Sequence, residues 1–438
     1  MQTINQLLMI VTLMLICLSL FISFVMLSGA IHFWFKNSHR IIETPALSRY
    51  PLITVVVPAH NEEIVIENTT RALLALNYPK DKVELLLYSD NSTDHTADRM
   101  RQAFADEQHA GRNYKIIERT GTGGKAGVLN DSLKIARGEF IAVYDADAMP
   151  EKNALYFLVQ KALENPDRYM AVFGRNKTRN ADQNYLTRFI NQEIMVSQRI
   201  QHIAMWHMFK IGRIPGTNFI IQRDFVDSIG GWSDGALTED TDISFKIMQS
   251  GKLIALAYNS EAFQQEPEHL KDYYFQRLRW AKGNYQVVLD NFKNLFNKSN
   301  WRVKFETFYF TTTFFIFNSA VILSDIIFLV NFGFMIWSWF DPNTQMPFTF
   351  TQGNTQISQV LVFNWLLMIL LYMLQISIAL ASQFGQTTAK SVRIALASYF
   401  TYSQLFIIVS VHAVLQVLMD KIFKRNGTRW VKTKRFED

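Results

Sequence analysis

Hydrophobic and polar positions follow three rhythms along the chain. Residues 7–34 contain no Asp, Glu, Lys or Arg, and about 20 such residues suffice to cross a hydrocarbon core. The run exceeds the roughly 7–15 apolar residues of a secretory signal, and residues 1–6 lack that signal's basic flank. A retained membrane helix is therefore expected. Lys36, His39 and Arg40 follow it, which directs the downstream chain to the cytoplasm.

Three more apolar blocks stand near the C-terminus, at 305–340, 357–382 and 394–419. The first carries Glu306 and Asp325, the second no charge, the third only His412. The basic tail 421–435 favours a cytoplasmic end, so the number of crossings should be even. Block 305–340 is long enough for an interfacial segment plus one span, or for a cramped hairpin. Asp325 is costly in lipid and is expected to face protein or a polar path.

Between 37 and 304 the rhythm shortens. Residues 52–57, 83–88, 114–117 and 140–144 read as buried strands, with helical patterns at 62–76, 94–104 and 126–136. That alternation predicts an α/β domain with a parallel sheet, whose ligands bind beyond the carboxyl ends of the strands. After those strands come Pro58-Ala59-His60-Asn61-Glu62, Asp90-Asn91-Ser92-Thr93-Asp94, Gly121-Thr122-Gly123-Gly124-Lys125 and Asp145-Ala146-Asp147.

Each cluster has a plain reading. Asp94 suits a helix N-cap, and Ser92 or Thr93 a turn. Gly123-Gly124-Lys125 lacks the spacing of a Walker loop and reads equally as an ordinary turn. Asp145 and Asp147 can share Mg2+ or Mn2+ with substrate phosphates. Thr238-Glu239-Asp240 precedes a helical stretch at 243–248, where acids also match the helix dipole. Gln276, Arg279 and Trp280 lie in a basic, aromatic segment of the kind found at membrane surfaces.

Composition narrows the class. The chain has 438 residues, 44 Lys+Arg against 38 Asp+Glu, and 35 Phe. Abundant aromatic and aliphatic residues exclude disorder. A single cysteine, Cys17, excludes a disulfide scaffold and a Cys-based zinc site.

Taken in order, these motifs resemble the family 2 glycosyltransferases, specifically the membrane-integrated polysaccharide synthases. The last three, Asp145-x-Asp147, Thr238-Glu239-Asp240 and Gln276-x-x-Arg279-Trp280, are the most specific. The likeness leans to bacterial poly-N-acetylglucosamine synthases; hyaluronan, chitin and cellulose synthases share the set. It implies a GT-A type α/β catalytic domain between transmembrane helices, and inverting transfer from a UDP-sugar. Asp90 would contact uridine, Lys125 and Asp145 the nucleotide, and Gln276 and Arg279 the diphosphate. Asp147, with Asp145, would hold Mg2+ or Mn2+. Asp240 would be the general base. Trp280 would form the floor under the acceptor sugar, with Glu239, Gly216 and Thr217 beside it. Two departures are Asn91, where many relatives have a second acid, and Gly216-Thr217-Asn218, which lacks a Cys common in relatives.

The expected organisation is a membrane helix (1–36), a cytoplasmic catalytic domain (37–270), an interfacial segment (271–304), channel-forming helices (305–420) and a basic tail (421–438). The implied activity is processive synthesis of a β-linked polysaccharide from UDP-GlcNAc or UDP-glucose at the plasma membrane. The alternative is transfer of one sugar to a lipid carrier. Expected partners are the donor, the growing polysaccharide, the bilayer and accessory export or regulatory subunits; nucleic acid is not expected.

Overall fold

A computed structural model describes residues 2–37, 44–105, 113–234, 236–344, 355–383, 388–423 and 434–436. His39, Arg40, the 424–433 stretch of the tail and the side chain of Asp325 lie outside the described residues.

Eight strands form one sheet: β1 (Ile53–Ala59), β2 (Val83–Asp90), β3 (Asn113–Arg119), β4 (Phe140–Val143), β5 (Met149–Pro150), β6 (Tyr169–Thr178), β7 (Phe219–Gln222) and β8 (Leu253–Gln264). Their order is β3-β2-β1-β4-β7-β6-β8-β5. β1, β2 and β4 are runs of Val, Ile, Leu and Phe because both faces are covered; every residue of β2 and β4 is buried. The four strands expected from sequence are parallel to one another. The sheet as a whole is mixed, because β7 runs antiparallel to both β4 and β6. That reversal serves the site. Val143, at the end of β4, lies opposite Phe219, at the start of β7, so the residues just before β7 reach the edge that the ends of β1, β2 and β4 already share.

The helices are α1 (Gln2–Asn37), α2 (Ile66–Leu74), α3 (Thr96–Ala103), α4 (Gly124–Leu133), α5 (Ala154–Leu163), α6 (Tyr185–Val196), α7 (His202–Ala204), α8 (Arg223–Ser228), α9 (Glu239–Gln249), α10 (Leu270–Asn291), α11 (Trp301–Thr311), α12 (Asn318–Trp337), α13 (Thr355–Ala381), α14 (Ala389–Phe400) and α15 (Tyr402–Phe423). Among the described residues, three runs are long and apolar enough to cross a membrane: Ile4–Asn37, Trp301–Trp337 and Ala389–Phe423; Leu366–Ala381 is a shorter apolar stretch. Trp301–Trp337 continues through a π-helical turn at Thr312–Phe317, so the hairpin expected as one option for 305–340 does not form. Block 394–419 is divided between α14 and α15 at Thr401.

The membrane helices are packed onto the catalytic domain. Leu27 and Ala30 of α1 share a buried cluster with Ile376, Ala379 and Leu380 of α13 and Ala395 of α14. Leu278, Ala281 and Tyr285 of α10 pack against Val409, Ala413 and Val417 of α15. Lys282 of α10 pairs with Asp420 of α15.

Gly138 seats the turn into β4. Its N–H donates to Thr54 Oγ1 at 2.8 Å, and a Cβ there would stand 2.3 Å from the Thr54 backbone nitrogen. Gly138→Ala should cost about 1–3 kcal/mol through this overlap, read as a lowered thermal midpoint of the purified protein. An unchanged midpoint would mean that the β1–β4 junction relaxes freely.

Candidate active site

The first two turns at the sheet edge clamp each other. Asn61 and Asn91 both adopt left-handed backbone, with φ of 56° and 51°, a conformation Asn tolerates better than most residues. The Asn61 N–H donates to Ser92 Oγ at 3.0 Å, and Thr93 N–H donates to Asn61 Oδ1 at 2.7 Å. Asp94 accepts from Thr96 N–H at 3.0 Å and Glu63 N–H at 3.2 Å. Ser92, Thr93 and Asp94 thus shape the turn, as the capping reading holds. Asn91 joins this turn to the glycine-rich one: its Nδ2 donates to Gly121 O at 2.8 Å while its Oδ1 accepts from Gly121 N–H at 3.2 Å. A carboxylate could not make both bonds, which accounts for Asn at this position.

Asp90 ends β2 and is buried. Arg119, at the end of β3, donates to Asp90 at 2.6 Å and to Asp131 at 2.7 Å. Burial opposes the Arg119 charge, but the two carboxylates outweigh it and raise its pKa.

Lys125 sits in the first turn of α4 and draws four chain segments together. Its Nζ lies 2.6 Å from Asp145 Oδ1, 2.7 Å from Gly216 O and 3.3 Å from Glu239 Oε1. Burial alone would discharge the ammonium; Asp145, then Glu239 and Asp240, hold its pKa above the ordinary value instead. Asp145 N–H donates to Thr217 Oγ1 at 3.0 Å. Gly216 has φ of 85°, and a Cβ on it would come within 3.1 Å of Asp240 Oδ2, so only glycine fits without strain. Lys125, Asp145, Gly216, Thr217, Glu239 and Asp240 therefore form one cluster.

Asp240 lies in the first turn of α9, where Thr241 N–H donates to its Oδ1 at 2.7 Å. Burial, then the neighbouring Glu239, push its carboxyl up to about 7, against the opposing pull of Lys125. A carboxylate that gains and loses its proton near neutral pH suits general acid–base work.

Asp147 is 5% exposed and stands apart from Lys125. Its Oδ2 accepts from Gln265 N–H at 3.1 Å and from Arg435 Nη1 at 2.8 Å. Arg435 Nε also reaches Glu62 Oε2 at 3.1 Å. The neighbouring Phe436 is clasped by Gln265, accepting from its Nε2 at 2.8 Å and donating its N–H to its Oε1 at 3.0 Å. The end of the basic tail thus lies in the site.

Among the described residues, no group of three His, Cys, Asp or Glu could hold a metal ion by itself. Asp147 nevertheless fits the mode in which one or two carboxylates share Mg2+ or Mn2+ with substrate phosphates, and it already takes a positive charge from Arg435.

Gln276, Arg279 and Trp280 share α10. Gln276 Oε1 and Arg279 Nε are buried without a hydrogen-bond partner. Burial lowers the Arg279 pKa, while Glu239, Asp145 and Asp240 pull it back up and Arg435 lowers it. Its guanidinium therefore faces the acid cluster with hydrogen-bonding capacity to spare. Trp280 turns the other way, with the Arg277 guanidinium 4.4 Å from its ring centre. It lines a cavity of about 1210 Å3 among the membrane helices. Both polar and apolar groups line this cavity, among them Ser19, Asn284, Thr313, Asn318, Tyr372 and Gln404.

Four participants escaped sequence reasoning. Arg119 and Gln265 carried no motif, and Glu62 was noticed without a role. Arg435 was counted only as part of a basic tail.

Comparison with known proteins agrees with this geometry. Residues 51–283 match the family described as "Glycosyltransferase like family 2". A Bacillus subtilis protein named probable glycosyltransferase YdaM is 34% identical over 391 residues, covering 89% of this chain and 88% of that protein. The β-monoglucosyldiacylglycerol synthase of a Nostoc species is 30% identical over 62% of this chain and 57% of its own length. Poly-β-1,6-N-acetyl-D-glucosamine synthase of Staphylococcus aureus is 26% identical over 62% of this chain and 65% of its own. A mannosyltransferase from Pyrobaculum calidifontis, solved in complex with GDP-Man and Mn2+, aligns with a TM-score of 0.54 at 16% identity, over 95% of this chain and 99% of that one. Its likeness is one of fold, a GT-A-like α/β domain. The matched family stretch opens just before β1 and closes in α10, taking in all the candidate residues from Asp90 to Trp280, and the chain belongs to glycosyltransferase family 2.

Proposed function

We propose that the chain polymerises a β-linked polysaccharide from a UDP-sugar, UDP-GlcNAc or UDP-glucose, and passes the product through its own membrane helices. The observation that carries this reading is the position of Trp280. It follows Arg279 directly on α10 and lines the boundary of the large cavity, whose walls carry polar, aliphatic and aromatic groups. A ring at that boundary offers a platform for the apolar face of a terminal sugar, and the cavity beyond it offers a path for the sugars already joined. The staphylococcal polysaccharide synthase is a relative of this kind.

In this reading Asp240 takes the proton from the acceptor hydroxyl as that oxygen attacks the anomeric carbon. Direct displacement inverts the centre, so an α-linked donor yields a β-linkage. Asp90 holds the uridine, and Lys125 and Asp145 the nucleotide. Gln276 and Arg279 meet the diphosphate, whose growing negative charge Arg279 offsets. Gly216, Thr217 and Glu239 border the acceptor. Asp147, with Asp145, would hold Mg2+ or Mn2+, which when bound supplies positive charge to the leaving diphosphate. A mannosyltransferase of this fold was solved with Mn2+. We place the catalytic domain (37–270) and the interfacial segment (271–304) on the cytoplasmic side of the plasma membrane, with the helices of 1–36 and 305–420 forming the path.

A second reading has the enzyme add one sugar to a lipid. Apolar residues of the same cavity, such as Met9, Ile16, Ile22 and Val321, would accept an acyl chain, and the Nostoc synthase is a relative of that kind. Product size separates the two: polymer formation by purified protein supports the first, and a single-sugar glycolipid alone supports the second.

Because Asp240 must be ionised to accept a proton, kcat/KM should rise with pH through about 7 and level off above it. Asp240→Asn should lose about 10²–10⁴-fold in turnover with UDP binding nearly intact. A variant keeping a comparable rate would move the base elsewhere.

Trp280→Ala should suppress polymer yield more than UDP release, since water needs no platform while a sugar acceptor depends on positioning. Equal loss of both, in step with folded protein, would make the ring structural.

Arg435 occupies Asp147 as a resident counter-cation, so it competes with added metal. Arg435→Gln should tighten Mn2+ binding in the absence of nucleotide by about tenfold, read by calorimetry. Unchanged or weaker binding would contradict the competition.

A further inference from the structure

Away from the catalytic edge, a second cavity of about 450 Å3 lies where β6 and β8 meet α6 and the α13–α14 junction. Its charge is lopsided. Among the described residues, Arg175, Lys177, Arg179, Arg188, Arg199 and Lys390 line it, against two carboxylates, Asp182 and Glu261.

Most of the available negative charge is shared. Glu261 is buried and takes Arg175 at 2.5 Å, Arg199 at 3.5 Å and Lys177 as well. Lys177 also meets Glu151 at 3.1 Å, and Arg188 meets Asp182 at 3.4 Å. Arg175 and Arg199 are 7% and 5% exposed, so water screens them little. Burial lowers the pKa of Arg175 despite Glu261. Burial, then the neighbouring Arg175, lowers that of Arg199 to about 9.

Arg175 also has a donor left over. Its Nε donates to Tyr258 O and its Nη2 meets Glu261, but its Nη1 is buried without a partner. A buried donor left unsatisfied on a charged group is costly, and the cost is removed by an anion oxygen that accepts from this Nη1. The N-terminus of α14, a helix of 12 residues, meets the same space: Thr388, Lys390 and Ser391 line it, and its dipole adds positive potential. Arg199 ties the end of α13 to this wall by donating to Ser382 O at 2.8 Å, and Gln192 ties α14 by donating to Ser391 O at 2.9 Å. Met195, Leu380 and Ile394 give the cavity an apolar side.

We propose that this cavity binds a phosphate-bearing anion, which bridges the end of the catalytic sheet to the α13–α14 junction. Phosphate matches the site in charge and in its capacity to accept several hydrogen-bond donors. The apolar side accommodates the glycerol and acyl carbons of a phospholipid whose headgroup enters the cavity, while free phosphate would use the polar side alone. The inference does not rest on the glycan reading.

The test uses the full chain, stripped of lipid, in a phosphate-free maltoside detergent at matched ionic strength, with the thermal midpoint as readout. One arm is detergent alone, one is detergent with inorganic phosphate added, and one is detergent mixed with phosphatidylglycerol. The wild type should be stabilised in at least one of the last two arms, and the arm that responds identifies the source. Lys177→Gln should weaken the apparent affinity about tenfold. Lys390→Gln, at an exposed rim position that leaves folding intact, should weaken it in the same direction. Identical midpoints in all three arms would overturn the proposal, as would a response undiminished in both variants.

Discussion

The site depends on one half-buried ammonium. Lys125 holds Asp145 from the turn after β4, Gly216 from the approach to β7 and Glu239 from the start of α9. Three carboxylates, Asp145, Glu239 and Asp240, are crowded around it, and without a central cation their repulsion would drive the segments apart or protonate them. The cation also divides their roles. Asp145 and Glu239 are paired directly with Lys125, whereas burial and then Glu239 push the Asp240 carboxyl up to about 7 against the pull of Lys125 and of the Thr241 N–H. One lysine thus both assembles the edge and leaves a carboxyl near neutrality on it.

A second balance of charge operates at Asp147. Arg435 brings a guanidinium from the end of the chain to Asp147 and Glu62, and Gln265 clasps the residue after it. Arg279 of α10, half-buried, answers to a different group of acids: burial lowers its pKa, and Glu239, Asp145 and Asp240 pull against that. Asp145 is thus paired with Lys125, and Asp147 with Arg435. Trp280, one residue on from Arg279, turns toward the cavity among the membrane helices. A single helix, α10, so carries Arg279 beside the acid cluster and Trp280 at the cavity, and it packs against α15.

Much of this was legible in the sequence for identifiable reasons. β1, β2 and β4 announce themselves as short Val, Ile and Leu runs because they are buried on both faces, and the chemistry sits directly after them. β6 was not read, because Arg175, Asn176, Lys177 and Thr178 interrupt its apolar pattern although three of the four are buried. Their charge is met by Glu261 of β8, a partner far away in sequence. The antiparallel β7 is only four residues long, too short for periodicity to speak. The Lys125 hub joins segments that no local pattern relates, and Arg435 was hidden in a tail whose basic character has a simpler reading as a membrane-side signal. Asn91 looked like a departure from the family and proves to be the residue that ties two turns together.

The central claim is that one chain both joins sugars and conducts the product across the bilayer. Its most direct test is synthesis in sealed proteoliposomes, with donor and Mn2+ supplied only from outside and the product then challenged with an external glycosidase. The account predicts labelled polymer that resists the enzyme until the vesicles are opened with detergent. Product that is digested completely in intact vesicles, or that never exceeds one sugar on a lipid, would contradict it.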